Sequence, residues 1–268
     1  MSSYVSDLKG VPVIDDSNYL GHVKAAQSIS QFGSGYIPRD YNAMPAGFFK
    51  PYSGPVFDEK ELIERIKEKE ARKSGLADLH RHLDIAVLDQ GQLGYCWMYG
   101  TVKSMMMAYA KMGQKVPHLS PSSAAAKGKN YRNEGGLAEE ALRYIKQFGV
   151  STVDFWPDGG VADRRYDTPE QRANAALHIA VEFEELPANN PMAVASALAV
   201  DIPCTGGFAW WGHLIALLQP RWGSYGLGLE FVNSWTKRYG KDGFSVLTGS
   251  KAIPFEAYAI RTVTASRA

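Results

Sequence analysis

The sequence predicts an α+β protein with two lobes, and three observations carry that prediction. Apolar residues recur at helical spacing between residues 96 and 148. Beyond residue 180 they gather instead into short runs rich in Val, Ile, Leu and Phe, separated by Gly, Pro and Asn. The chain has 268 residues, 45% hydrophobic and 21% charged, enough for one sizeable core or two modest ones and unlike disordered or fibrous chains.

Helical patterns run over 96–112, 121–129 and 137–148, the last stopped by Gly149. Thr168-Pro169 and Asn190-Pro191 each put a capping side chain before a proline at the first helical position. Strands are predicted at 181–185, 200–208, 214–219, 226–233, 243–247 and 257–263. Upstream, Asp58 and Glu61 form a capping pair, Phe57 and Leu62 can staple, and Glu61/Arg65 and Glu68/Arg72 are i,i+4 ion pairs. They predict a helix over 58–73, ended by Ser74-Gly75. Its apolar stripe of Leu62, Ile63 and Ile66 suits a partner-binding or pro-region helix and a solvated helix equally. A shorter helix is predicted over 17–31.

Residues 1–56 are punctuated by Gly35, Pro38, Pro45, Gly47, Pro51, Gly54 and Pro55, with Tyr36, Tyr41, Phe48, Phe49 and Tyr52 between them. Such a stretch builds no core of its own yet is too aromatic for a plain linker, so it reads as an arm lying on another surface. Its Pro and Gly content favours a tether to a neighbouring subunit over a plug in this chain's own cleft. The domain reading is an N-terminal extension over 1–75, then a domain over 76–268 with a helical lobe at about 88–168 and a β-rich lobe at about 169–266.

Lys+Arg 29 against Asp+Glu 28 leaves a net charge of +1, no basis for holding a nucleic acid or an anionic membrane by bulk electrostatics. Two cysteines allow at most one disulfide, which fits a reducing compartment. The first residues lack a basic and then apolar leader, and apolar runs such as 214–218 are too short to span a bilayer. The expected location is cytoplasmic or within an intracellularly assembled particle, without a signal peptide.

The stretch most informative about chemistry is 89–99, where a glycine-flanked turn delivers Cys96 to the opening of a helix. A helix N-terminus concentrates partial positive charge and free N–H groups, which favour a thiolate and can hold a developing oxyanion. A depressed Cys96 pKa is therefore expected. A thiol nucleophile also needs a base and a group that orients it. His213 heads an apolar strand, and Asn233 lies twenty residues on, before Ser234 and Trp235.

With these residues the chain resembles the papain-like cysteine peptidases, from about residue 77 to 263. The family's Gln-Gly-x-x-Gly-x-Cys-Trp block is similar to Gln90–Trp97, its second-helix Leu-Ser to Leu119-Ser120, and its Gly-Gly pair to Gly135-Gly136. The helix and turn after that pair resemble residues 138–157, and the His, the Asn-Ser-Trp and the aromatic-Gly-x-x-Gly-aromatic segments resemble His213, 233–235 and 239–244. The resemblance implies a papain-like two-lobe fold in which Cys96 attacks a carbonyl, His213 protonates the leaving amine, Asn233 orients His213, and Gln90 donates to the oxyanion. It implies substrate binding by Gly135, Gly136 and Trp235, the last shielding the His–Asn pair, with peptide or protein as substrate and no metal or organic cofactor. The chain departs from the family pattern at Leu93, where a half-cystine is usual, and at Tyr95, Gly212 and Leu214 around the two reacting residues.

A second reading keeps the fold and idles the site: a structural or decorating component of a larger assembly, such as a viral particle, anchored to neighbouring subunits by the arm. Elsewhere, Cys204 reads as strand core, Met105–Met107 as helix packing, His80 and His82 as surface or turn residues, and Asp15-Asp16 and Glu184-Glu185 as solvated charge pairs.

Overall fold

The computed structural model describes residues 4–30, 34–45 and 47–264. Residues 1–3, 31–33 and 46 of the predicted arm, among them Gln31 of the predicted 17–31 helix, and residues 265–266 of the β-rich lobe lie outside these. Along the chain come β1 (Val13–Ile14), α1 (Tyr19–Ser30), α2 (Glu59–Arg72), α3 (Leu76–His82), α4 (Cys96–Lys111), α5 (Pro121–Gly128), α6 (Ala138–Phe148) and α7 (Pro169–Ala175). They are followed by β2 (Ala180–Glu185), α8 (Pro191–Ala199), β3 (Cys204–Phe208), β4 (His213–Gly223), β5 (Gly226–Val232), β6 (Phe244–Thr248) and β7 (Glu256–Val263). The fold is of the expected α+β class.

The helices start where their caps predict. The Glu61 N–H donates to Asp58 Oδ1 (2.8 Å), the Gln171 N–H to Thr168 Oγ1 (3.2 Å) and the Ala193 N–H to Asn190 Oδ1 (2.9 Å), each satisfying an orphan first-turn donor. Helix α2 buries Leu62, Ile63 and Ile66 and packs on α8, so its narrow stripe is used within the chain.

The seven strands form one sheet in the order β1-β6-β5-β4-β3-β7-β2. All neighbours are antiparallel except β1, which runs parallel to β6 with Val13 opposite Val246. β1 was not predicted, because a two-residue strand has no period to detect. The strand predicted over 200–208 begins only at Cys204, since α8 ends beside Val200 and Asp201 turns the chain with φ +60°.

Helix α4 packs on β4 and β7 and is buried along residues 96–110. Its Gly100 sets the distance: a Cβ there would lie 2.6 Å from Leu214 Cδ2 and 2.9 Å from the Leu214 carbonyl oxygen. Only a residue without a side chain lets the start of α4 approach β4 that closely, and this contact brings Cys96 beside the strand that His213 heads. Met105, Met106 and Met107 are buried packing residues, as expected.

Two charge readings are corrected. Glu184 is 1% exposed and paired to Arg261, with N···O 2.6 Å, while Glu185 pairs with Arg39 at 2.8 Å. These carboxylates are structural rather than solvated, because both arginines approach from segments distant in sequence. His80 is buried, not at the surface: its Nε2 lies 3.4 Å from Lys103 Nζ, which also donates to the Ala86 carbonyl. Burial holds this imidazole neutral, with a pKa pushed down to about 2. Among the described residues no helix is long and apolar enough to cross a membrane.

Candidate active site

Cys96 is the first residue of α4, and its sulfur is fully buried. The Gly35 N–H donates to it at 3.3 Å, and the backbone N–H groups of Leu214, Tyr36 and Trp97 also favour its anion. His213, the first residue of β4, places its Nε2 2.8 Å from Asn233 Oδ1. That oxygen also accepts the Ser234 backbone N–H at 2.8 Å, which identifies it as the amide oxygen. An oxygen cannot donate, so Nε2 carries the ring hydrogen and Nδ1 is the basic atom. His213 Nδ1 is buried and has no hydrogen-bond partner among the described residues. The imidazole is sandwiched between Trp235 and Trp211, with ring centroids 4.5 and 4.8 Å away.

The turn before α4 is stitched to the same region. The Gln90 N–H donates to the Ser234 carbonyl (3.0 Å), Ser234 Oγ donates to Gln90 Oε1 (2.5 Å), and Gln90 Nε2 donates to the Leu93 carbonyl (2.8 Å). Asp89 bridges Trp235 in an antiparallel pair. Gln90, Asn233 and Trp235 thus form one hydrogen-bonded unit, and Cys96 meets it through the backbone of Leu214, the residue after His213.

Gly135 and Gly136 line a cleft that is already filled. The Gly136 N–H donates to the Gly35 carbonyl (2.8 Å), the Ile37 N–H to the Gly136 carbonyl (3.0 Å), and the Tyr36 N–H to the Gly212 carbonyl (3.1 Å). A Cβ on Gly135 would come 2.4 Å from the Gly35 oxygen, and one on Gly136 2.6 Å from the Trp97 ring. Gly135 therefore permits an extended backbone to lie directly on the cleft wall, and Gly136 makes room for the Trp97 ring; the backbone lying on the wall is the N-terminal arm. The arm is anchored on either side: β1 pairs with β6 at one sheet edge, and Lys50 and Tyr52 exchange hydrogen bonds with Glu185 at the other (2.9 and 2.8 Å). In addition, Tyr19 of α1 packs edge-on against Trp210 at 5.6 Å.

This overturns two expectations. The arm lies in this chain's own cleft, held there by backbone hydrogen bonds to Gly136 and Gly212 and by the Tyr36 hydroxyl on Glu256. And Cys96 is not a poised thiolate in this state: although N–H groups at the helix start favour the anion, burial under the arm wins and pushes the thiol up to about 11. His213 is pushed down to about 4 by the same burial. Thiol and imidazole are both neutral while the arm is in place.

Sequence reasoning missed Glu256, the first residue of β7, which is buried and accepts a hydrogen bond from Tyr36. A lone Glu opening a strand after Pro254-Phe255 carries no local signal of its role.

Residues 78–215 match the family model described as papain family cysteine protease. A thiol protease of Hemerocallis sp. is 27% identical over 187 residues, 59% of this chain and 49% of that protein. A low-temperature-induced cysteine proteinase of Solanum lycopersicum is 29% identical over 121 residues, 43% of this chain and 33% of that protein. The chain thus spans about half the length, or less, of these relatives. Among solved structures, xylellain, a cysteine protease from Xylella fastidiosa, superposes with a TM-score of 0.64 at 17% identity, covering 87% of this chain and 97% of that one. These findings give no support to the reading as a particle component.

Proposed function

From the premise that the chain belongs to the papain family of cysteine proteases, we propose that it is a thiol peptidase held latent by its own N-terminal arm. The observation that carries the reading is a tautomer-fixed imidazole at the head of β4, the strand on which the Cys96 helix packs: the His213–Asn233 hydrogen bond leaves Nδ1 as a base. Once residues 34–37 leave the cleft, water and substrate reach Cys96, the burial that raises its pKa is relieved, and the helix-start N–H groups favour the thiolate. Transfer of the thiol proton to His213 Nδ1 then gives the nucleophile. Its sulfur adds to the substrate carbonyl, and the oxyanion is stabilised by the Cys96 N–H and the Gln90 amide. The protonated His213 delivers its proton to the departing amine, and water, activated by the same ring, hydrolyses the thioester. Asn233 and the two flanking tryptophans hold the ring throughout.

The test uses the full-length chain with Tyr36→Ala, which removes the side chain that anchors the arm next to Cys96 without changing the side chains of the proposed catalytic groups. It should hydrolyse fluorogenic peptide amides faster than the parent chain, and adding Cys96→Ala should remove at least roughly a thousandfold of that turnover. Turnover that survives Cys96→Ala would overturn the mechanism.

A further inference from the structure

We propose that Tyr99 and Asp158 are positioning residues for the oxyanion site: they tie the turn that carries Gln90 to the helix that carries Cys96, so that the Gln90 amide and the Cys96 N–H keep a fixed relation. This role deepens the peptidase reading above and rests on it.

The need for a tie follows from where the two donors come from. The Cys96 N–H belongs to the first turn of α4, whereas Gln90 lies six residues upstream. Gly91 and Gly94 interrupt the connection, and glycine is the residue least able to stiffen a backbone. Two donors stabilise one oxyanion only while both stay at bonding distance from it, and a displacement of about 1 Å can cost about a hundredfold in rate.

The loop between α6 and α7 supplies the tie. Asp158 and Gly159 take both backbone groups of Asp89: the Asp89 N–H donates to Asp158 Oδ2 (3.3 Å), and the Gly159 N–H donates to the Asp89 carbonyl (3.0 Å). Gly160, with φ +69°, packs on the following peptide, where a Cβ on it would lie 2.2 Å from the Gln90 carbonyl oxygen. The other end of the tie reaches α4. Tyr99, three residues after Cys96, is fully buried, and its hydroxyl donates to Asp158 Oδ1 at 3.1 Å and accepts the Gly160 N–H at 3.3 Å. With that proton given to the carboxyl, the hydroxyl accepts from Ser122 Oγ of α5 at 2.7 Å, and Ser122 accepts the Val161 N–H at 3.2 Å.

None of the steps written for Cys96, His213 and Asn233 uses Asp158. Burial raises its carboxyl, and the Gly159 and Asp89 N–H groups and the Tyr99 hydroxyl oppose that rise. These donors are the groups that the tie has to hold. A second tie leaves α4 one turn further on, where Lys103 donates to the Ala86 carbonyl and its charge attracts Asp158. Helix α4 thus grips the segment 86–90 at two points, and the grip nearer Gln90 runs through Tyr99 and Asp158.

The tie touches no reacting atom, so its loss has a particular signature. Alkylation by an epoxide attacks a saturated carbon and needs the Cys96 thiolate but no tetrahedral oxyanion. In the full-length Tyr36→Ala chain, Tyr99→Phe should lower kcat for peptide amides by at least about tenfold, with KM and the rate of epoxide labelling of Cys96 each within about twofold. Adding Tyr99→Phe to Gln90→Ala should cost less than about twofold, because the donor it positions is gone. Asp158→Ala should behave like Tyr99→Phe, and Asp158→Asn, which keeps an acceptor for the Asp89 N–H, should stay within about threefold of the Tyr36→Ala chain. Turnover unmoved by Tyr99→Phe, labelling that falls in parallel with turnover, or an equal loss with and without Gln90 overturns the assignment. If no peptide is turned over, the peptidase reading has failed, and the tie is then judged by residue-resolved hydrogen exchange in the parent chain. Exchange of the Asp89 and Gln90 N–H groups at least about tenfold faster in Tyr99→Phe, with residues 102–109 of α4 unmoved, supports the tie; unchanged exchange, or faster exchange throughout α4, overturns it.

Discussion

The two cysteines are equally inaccessible and opposite in kind. Cys204 lies in β3, between β4 and β7, and Ser104 of α4 donates to its carbonyl at 2.9 Å. Its thiol is pushed far up by desolvation, offset only by the charge of Arg261 on β7. Cys96 is also fully buried, but backbone N–H groups from four residues offset its desolvation, and two of them, Gly35 and Tyr36, belong to the arm. Burial within a sheet core is permanent while the chain is folded. Burial under a strap of backbone hydrogen bonds ends when the strap lifts, so burial alone does not separate an inert thiol from a latent one. What separates them is whether the cover is part of the core and whether donors converge on the sulfur.

Substitutions around the two thiols sharpen that contrast. The largest effect in the surrounding machinery is expected from Gln90→Ala, which removes the proposed oxyanion donor and the acceptor of the Ser234 hydroxyl. In the Tyr36→Ala background, turnover of peptide amides should fall by roughly ten- to a thousandfold. Asn233→Ala should cost less, roughly tenfold, because the two tryptophans still hold the imidazole while the tautomer is no longer fixed. Cys204→Ala should leave turnover unchanged and lower unfolding stability by about 1–2 kcal/mol through the small cavity it opens, as read by denaturant unfolding. A large activity loss in Cys204→Ala would erase the distinction drawn between the thiols.

The pH dependence follows from the same burial. In the closed chain Cys96 keeps its proton up to about 11, whereas the ordinary value is 9.0. The covered or folded state thus binds this proton more tightly than the open or unfolded one. The stability this contributes is intact below pH 9.0 and is lost as pH rises from there to about 11. Alkylation of Cys96 in the parent chain should accordingly have a pH midpoint near the upper value, and in Tyr36→Ala a midpoint below 9.0.

Helix starts, most strand positions and the order of the site residues were legible in the sequence, because caps, prolines and apolar periods are local signals. Cys96 heads α4 as its glycine-flanked turn and helical pattern predict, and His213 and Asn233 sit at the strand ends where the apolar runs begin and stop. The arm's course was not legible. Its contacts are long-range: Tyr36 meets Glu256 across 220 residues and Arg39 meets Glu185 across 146. No periodicity records the room that the missing side chain of Gly207 leaves for the Tyr36 ring. Glu184 and Glu185 were misread for the same reason, since their arginine partners come from either end of the chain, and His80 because its partner is a lysine buried on another helix.

The most direct measurement is alkylation by an epoxide warhead at pH 7, with the modified residue mapped by mass spectrometry, in the full-length parent and in Tyr36→Ala. The account predicts slow labelling of Cys96 in the parent, at least roughly tenfold faster labelling of Cys96 when Tyr36 is removed, and no labelling of Cys204 in either folded chain. Labelling of both thiols at equal rates, or a Cys96 that stays unreactive in Tyr36→Ala, would contradict it.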